Sequence, residues 1–118
     1  MADTGETIFS KIISGDIPAD IVRDTERVLA FHDIAPKAPV HVVVIPKTTV
    51  YANVVELAAA EPDLLAELVA VASDIASEYA DGQFRLVFNS GEAAGQTVFH
   101  VHAHVLAVGL AEGSLADG

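Results

Sequence analysis

His100-Val101-His102-Ala103-His104-Val105-Leu106 decides how this chain is read. Three histidines at i, i+2 and i+4, separated by apolar residues, follow the period of two of a half-buried strand, so all three imidazoles are expected on one face. The 118-residue chain has five histidines, and this stretch gathers three of them; His32 and His41 are the others. Burying three imidazoles together leaves several polar nitrogens to satisfy, which argues for chemistry over a purely structural role.

Two chemistries compete for such a face. His-x-His on a strand can supply two metal ligands, with His41 as a third. At ~3.3 Å rise per residue, however, His100 and His104 stand roughly 13 Å apart and cannot share one ion, and the chain has no cysteine to complete a site. No metal or cofactor is therefore expected. Nucleophilic catalysis by imidazole uses more of the pattern, one histidine attacking while a neighbour assists the leaving group. Same-face neighbours roughly 6.5–7 Å apart span about the distance needed to flank a tetrahedral phosphorus. Upstream, Ser90-Gly91-Glu92-Ala93-Ala94-Gly95-Gln96 is a small-residue loop, and Gly95-Gln96-Thr97 could turn N–H groups, an amide and a hydroxyl towards phosphate oxygens.

Working outward, Phe84–Asn89 reads as a strand before that loop, and Thr97–Leu106 as the final strand. Pro62–Tyr79 is the longest helix, with Leu64, Leu65, Leu68, Val69, Ala72 and Ile75 recurring at three- and four-residue steps. Asp63, Glu67, Asp74 and Glu78 on its other side read as a solvated face. His41-Val42-Val43-Val44-Ile45, apolar at both alternating positions, reads as a central strand covered on both sides. Ile34–Pro39 holds two prolines and reads as a loop, Val28–Asp33 and Ile21–Arg23 as two arms of a hairpin, and Thr7–Gly15 as a short capped helix. Short connections between most strands favour an α+β domain with one antiparallel sheet over parallel βαβ units.

The length suits one domain over residues 1–118, with 1–6 and 109–118 as loose termini. With 52% hydrophobic residues and a mean hydropathy of +0.44, the chain is expected to fold, with some apolar surface left to pair with another subunit. No apolar run is long enough to span a membrane, and Asp3 and Glu6 stand where a secretory signal carries bases; a soluble, cytoplasmic protein is expected. The net charge of −11 excludes nucleic acid and anionic membrane as partners attracted at long range. After Lys47 the only base is Arg85, so an anionic ligand beside the histidines must be held by neutral donors, by imidazoles or by bases of the first half.

The run from His100 to Leu106 matches the signature His, apolar, His, apolar, His, apolar, apolar, and the chain resembles the histidine triad (HIT) superfamily from Ile8 to Val108. Ile8–Ile13, Ala30–Ile34, Ala38–Lys47 and Asn89–Leu106 carry the likeness. The third histidine makes it most similar to the nucleotide-binding, Hint-like branch.

That resemblance implies a five-stranded antiparallel sheet with two helices, pairing into a two-fold homodimer. It implies hydrolysis of nucleoside 5′-phosphoramidates or acyl- and aminoacyl-adenylates without a metal, through a nucleotidyl-histidine on His102, with purine nucleotides such as AMP as ligands. His104 corresponds to the residue that contacts phosphate and assists departure, and His100 and His41 to the supporting pair. Asn89, Gly95, Gln96, Thr97 and Val98 correspond to phosphate-side contacts; Phe31, His32, Asp33 and Ile34 correspond to the nucleoside pocket, Asp33 accepting from ribose hydroxyls. The alternatives are a nucleotide- or partner-binding module with little catalysis, and a dinucleoside polyphosphate hydrolase. The branch's C-terminal Trp- and Pro-containing segment has no counterpart in Gly109–Gly118, which bears on the leaving group, and the structural zinc that some bacterial relatives bind partly by cysteines is not expected in a chain without Cys.

Overall fold

Residues 6–111 are described by a computed structural model; residues 1–5 and 112–118, most of the expected loose termini, lie outside the described residues. Thr7 starts α1 (Ile8–Ser14): its hydroxyl accepts from the Phe9 and Ser10 N–H groups, and Ser10 Oγ accepts from the Thr7 N–H at 2.8 Å. Gly15, at φ 88°, ends the helix in the left-handed conformation that glycine takes without cost. The strands β1 (Ile21–Asp24), β2 (Val28–His32) and β3 (Val40–Pro46) follow. Then come α2 (Val54–Ala60), α3 (Pro62–Ala80), β4 (Arg85–Val87), a 3-10 turn at Glu92–Ala94, and β5 (Ala103–Ala107).

The five strands form one antiparallel sheet in the order β1-β2-β3-β5-β4. After β3 the chain leaves through α2 and α3, returns at the far edge as β4, and inserts β5 between β4 and β3. That insertion brings the His41 strand beside the strand that ends the triad, with His41 opposite Leu106 and Val43 opposite His104.

Alternation sorts the strand residues into two layers. Val28, Ala30, Val42, Val44, Ala103 and Val105 meet Leu64, Leu68, Ala72 and Ile75 of α3, together with Leu57 of α2. Leu29, Phe31, Val43 and Ile45 meet Phe9, Ile12 and Ile13 of α1. β3 is thus the doubly covered centre that its sequence suggests.

Four details differ from the sequence reading. α2 was not anticipated; Asn53 caps it by accepting the Glu56 N–H at 2.9 Å, and Pro62 at the first turn of α3 separates the two helices. The strand read over Phe84–Asn89 is paired only over Arg85–Val87. Glu67, Asp74 and Glu78 do more than face solvent: Arg27 pairs with Glu67 at 2.6 Å, and Arg23 with Asp74 at 2.9 Å and with Glu78.

The last strand starts at Ala103, not Thr97, so His100 and His102 precede it. Continuing the β3–β5 register would set Val101 against Pro46, which has no N–H to give. The Val101 N–H instead donates to the Tyr51 carbonyl at 3.0 Å, and the Pro46 carbonyl takes a side chain, His100.

Candidate active site

The loop before β3 holds Pro36 and Pro39, whose rings fix φ at those positions. The Lys37 backbone N–H donates to His41 Nδ1 at 2.9 Å, and Asp33 Oδ1 accepts the Ala35 N–H at 2.8 Å. An imidazole nitrogen that accepts a hydrogen bond carries no proton, so neutral His41 is protonated at Nε2. That atom lies 2.9 Å from His104 Nδ1 and 3.4 Å from Asp33 Oδ2. His41 therefore donates to His104, which keeps its own proton on Nε2. Burial pushes His104 down to about 4; the neighbouring His102 and His41 act in the same direction and Asp33 opposes them. His41 is also lowered, chiefly by burial.

His102 is oriented by the backbone. Its Nδ1 lies 2.8 Å from the His100 carbonyl oxygen, which can only accept, so Nδ1 carries the proton and Nε2 holds a free lone pair. Burial lowers its pKa from 6.5, the His100 carbonyl and Asp33 partly offsetting the effect. Neutral imidazole is thus the resting form. His100, 1% exposed, donates Nε2–H to the Pro46 carbonyl at 2.8 Å, and its Nδ1 is the one buried side-chain polar atom without a partner among the described residues. It anchors the segment whose carbonyl orients His102.

A cavity of about 610 Å³ opens on this cluster. His41, His102 and His104 line it, as do Phe31, His32, Asp33 and Ile34 from the end of β2, and Asn89, Gly95, Thr97 and Val98 from the loop beyond β4. Two anticipated residues lie behind the lining. His100 holds the backbone. Gln96, 2% exposed, spends its amide internally: Oε1 accepts the Gly91 N–H at 2.8 Å, and Nε2 donates to the Ala52 and Val98 carbonyls at 2.6 and 3.0 Å. It braces the loop that presents Gly95 and Thr97.

Other lining residues had no role in the residue-level reading: Ile8, Phe9 and Ile12 from α1, Ile17 and Ala19 from the loop after it, and the charged Asp20 and Lys37. The helical spacing of Ile8 and Ile12 marks an apolar stripe, yet nothing local distinguishes a stripe that faces a cavity from one that faces a core. The lining joins an apolar wall to a polar end holding imidazoles, a hydroxyl and a carboxamide, as a ligand with a flat apolar part and a charged part requires.

Asp33, His41 and His104 bring three potential ligand atoms within 4.8 Å of one another. They do not fit a cation: the Lys37 N–H on His41 Nδ1 fixes the proton on Nε2, the atom that would have to ligate. A second cavity of about 570 Å³, between the end of α3 and the ends of β4 and β5, contains no histidine. No described helix is long and apolar enough to cross a membrane.

The HIT domain family model matches residues 14–109. An uncharacterized HIT-like protein of Synechocystis sp. is 49% identical over 105 residues, covering 86% of this chain and 89% of that protein. The purine nucleoside phosphoramidase of Escherichia coli K12 is 41% identical over 103 residues, 86% of either chain. The solved structure of a HIT family hydrolase from Clostridium thermocellum superposes with a TM-score of 0.82 at 42% identity, over 88% of this chain and 92% of that one. With the family match running from the last residue of α1 through β5 and relatives 49% and 41% identical over 86% of the chain, this chain belongs to the histidine triad (HIT) family.

Proposed function

We propose that the protein is a nucleotide-binding hydrolase that cleaves nucleoside 5′-phosphoramidates or acyl- and aminoacyl-adenylates through a nucleotidyl-histidine on His102. The observation that carries this reading is the Nδ1–H of His102 on the His100 carbonyl, which leaves the Nε2 lone pair in a cavity shared with His104. Nε2 forms a bond to the α-phosphorus as the bond from phosphorus to the leaving nitrogen or oxygen breaks, the leaving group departing with that electron pair and gaining a proton. His104, protonated at Nε2 by virtue of the His41 contact, is suited to donate a hydrogen bond to the phosphate or the leaving atom. Water then attacks phosphorus, the P–N bond to His102 breaks, and a nucleoside monophosphate is released. His41 and His100 act as supports, Asn89, Gly95, Thr97 and Val98 meet the phosphate side, and Gln96 holds their loop. Phe31, His32, Asp33 and Ile34 take the nucleoside, with a carboxylate at Asp33 able to accept from ribose hydroxyls.

The name of the E. coli relative supports a purine nucleoside phosphoramidate as substrate and AMP as product. The apolar composition supports a homodimer as the working unit, and the absence of a membrane-crossing helix among the described residues agrees with a cytoplasmic setting. The test is mass spectrometry of the protein mixed with adenosine 5′-phosphoramidate and quenched in alkaline denaturant, because a phosphorus–imidazole bond does not survive acid. A transient adenylyl adduct mapping to His102, and absent from His102→Ala, is expected. Binding of AMP with no adduct and no turnover would reduce the protein to a nucleotide-binding module.

A further inference from the structure

Phe9 stands where the α1 layer meets the histidines. Its ring centroid lies 4.9 Å from that of His102 at an interplanar angle of 79°, 6.0 Å from His100 at 77°, and 5.7 Å from Phe31 at 63°. Among the described residues only Phe9 and His104 set a ring against His102. The reaction needs one orientation of that imidazole, because turning it over exchanges Nδ1 with the opposite edge and removes Nε2 from the cavity. The torsion that turns an imidazole is broad and roughly two-fold, so a single hydrogen bond to the His100 carbonyl is a weak lock. A near-perpendicular ring at 4.9 Å obstructs the arc through which His102 would rotate.

We infer that Phe9 is a positioning residue for His102, its ring holding the imidazole with Nδ1 on the His100 carbonyl and Nε2 free for phosphorus. The kinetic consequence rests on the proposed role of His102 as nucleophile. Phe9 also lines the cavity, so one side chain aligns the nucleophile and touches the ligand space, and α1 couples the two.

The decisive comparison uses the full chain with Phe9→Leu and Phe9→Tyr, and with Ile12→Ala as a cavity-wall control from the same helix. Nitrogen-15 imidazole NMR reads the tautomer of His102, and steady-state turnover of adenosine 5′-phosphoramidate separates kcat from KM. Phe9→Leu is expected to populate both His102 tautomers and to lose about tenfold or more in kcat, misalignment being costly, while KM moves less than about threefold. Phe9→Tyr, which keeps the ring, should restore kcat, and Ile12→Ala should move KM alone. A His102 that stays purely Nδ1-protonated in Phe9→Leu, or a loss following the Ile12→Ala pattern, overturns the inference. Phe9→Met replaces the leucine variant if the latter does not fold. Should the wild type turn over no phosphoramidate, the nucleophile reading fails, and the tautomer comparison still decides the role of Phe9.

Discussion

At His102 the hydrogen bond to the His100 carbonyl puts the proton on Nδ1 and leaves the Nε2 lone pair free. Removing the imidazole in His102→Ala should lower kcat at least about 10³-fold with adenosine 5′-phosphoramidate while the circular dichroism spectrum is retained, as expected for a nucleophile that nothing nearby replaces. A variant keeping most of its turnover would refute covalent catalysis at this position. Protonation occupies the Nε2 lone pair, and burial lowers the His102 pKa below 6.5, so activity should hold at pH 6.5 and fall only as pH drops through that lower value. In Asp33→Asn, which removes a charge favouring the imidazolium, the acid limb of the pH–rate profile should move further down; an upward shift would contradict the electrostatic picture. That His41, His100, His102 and His104 are candidates for one cluster was legible in the sequence. Their proton positions were not, because they depend on the Lys37 N–H, the His100 carbonyl and the Pro46 carbonyl.

The elements matter for what they present. Gln96 ties the loop carrying Gly95 and Thr97 to Ala52, at the start of α2. Gln96→Ala leaves the Gly91 N–H and the Ala52 and Val98 carbonyls without their partner, and should destabilise the fold by about 2 kcal/mol in urea unfolding and raise KM more than it lowers kcat. Unchanged stability would mean that water replaces the amide. Loss of the Thr7 hydroxyl in Thr7→Ala removes the α1 cap, at a cost of about 1 kcal/mol. Helix α1 was readable from its cap, its apolar stripe and its terminal glycine, and α3 from its long periodicity. The start of β5 was misread because alternation persists from His100 to His104 while the β3–β5 pairing ends at Val44 and Ala103, short of Pro46, and a missing donor on a partner strand is invisible in the strand that needs it.

Across the whole molecule, α2 and α3 cover one face of the sheet and α1 the other, and the histidine cluster lies on the α1 side, where Phe9 meets His100 and His102. Leu68, fully buried between α3 and the sheet, should cost about 2–5 kcal/mol when cut to alanine, read as a lower urea midpoint. Burial lowers the pKa of His41, His100, His102 and His104, so below pH 6.5 the unfolded chain takes up protons before the folded one. Stability should therefore decline as pH falls from about 6.5 towards about 4, where His104 itself protonates in the fold; equal urea midpoints at pH 7 and pH 5 would refute it. The ion pairs from Arg23 and Arg27 to α3 are exposed and contribute little, about 0–1 kcal/mol each. By itself the sequence determined most of the elements, α2 excepted, the α+β class and the gathering of three histidines on one stretch, because periodicity, caps and residue chemistry are local properties. Only the tertiary structure decided that His41 and His104, 63 residues apart, share a hydrogen bond, that Gln96 and His100 stand behind the cavity, and that Phe9 meets His102. Those contacts follow from inserting β5 beside β3 and from laying α1 across the opposite layer, pairings whose register and partners are fixed by the packing of the whole chain.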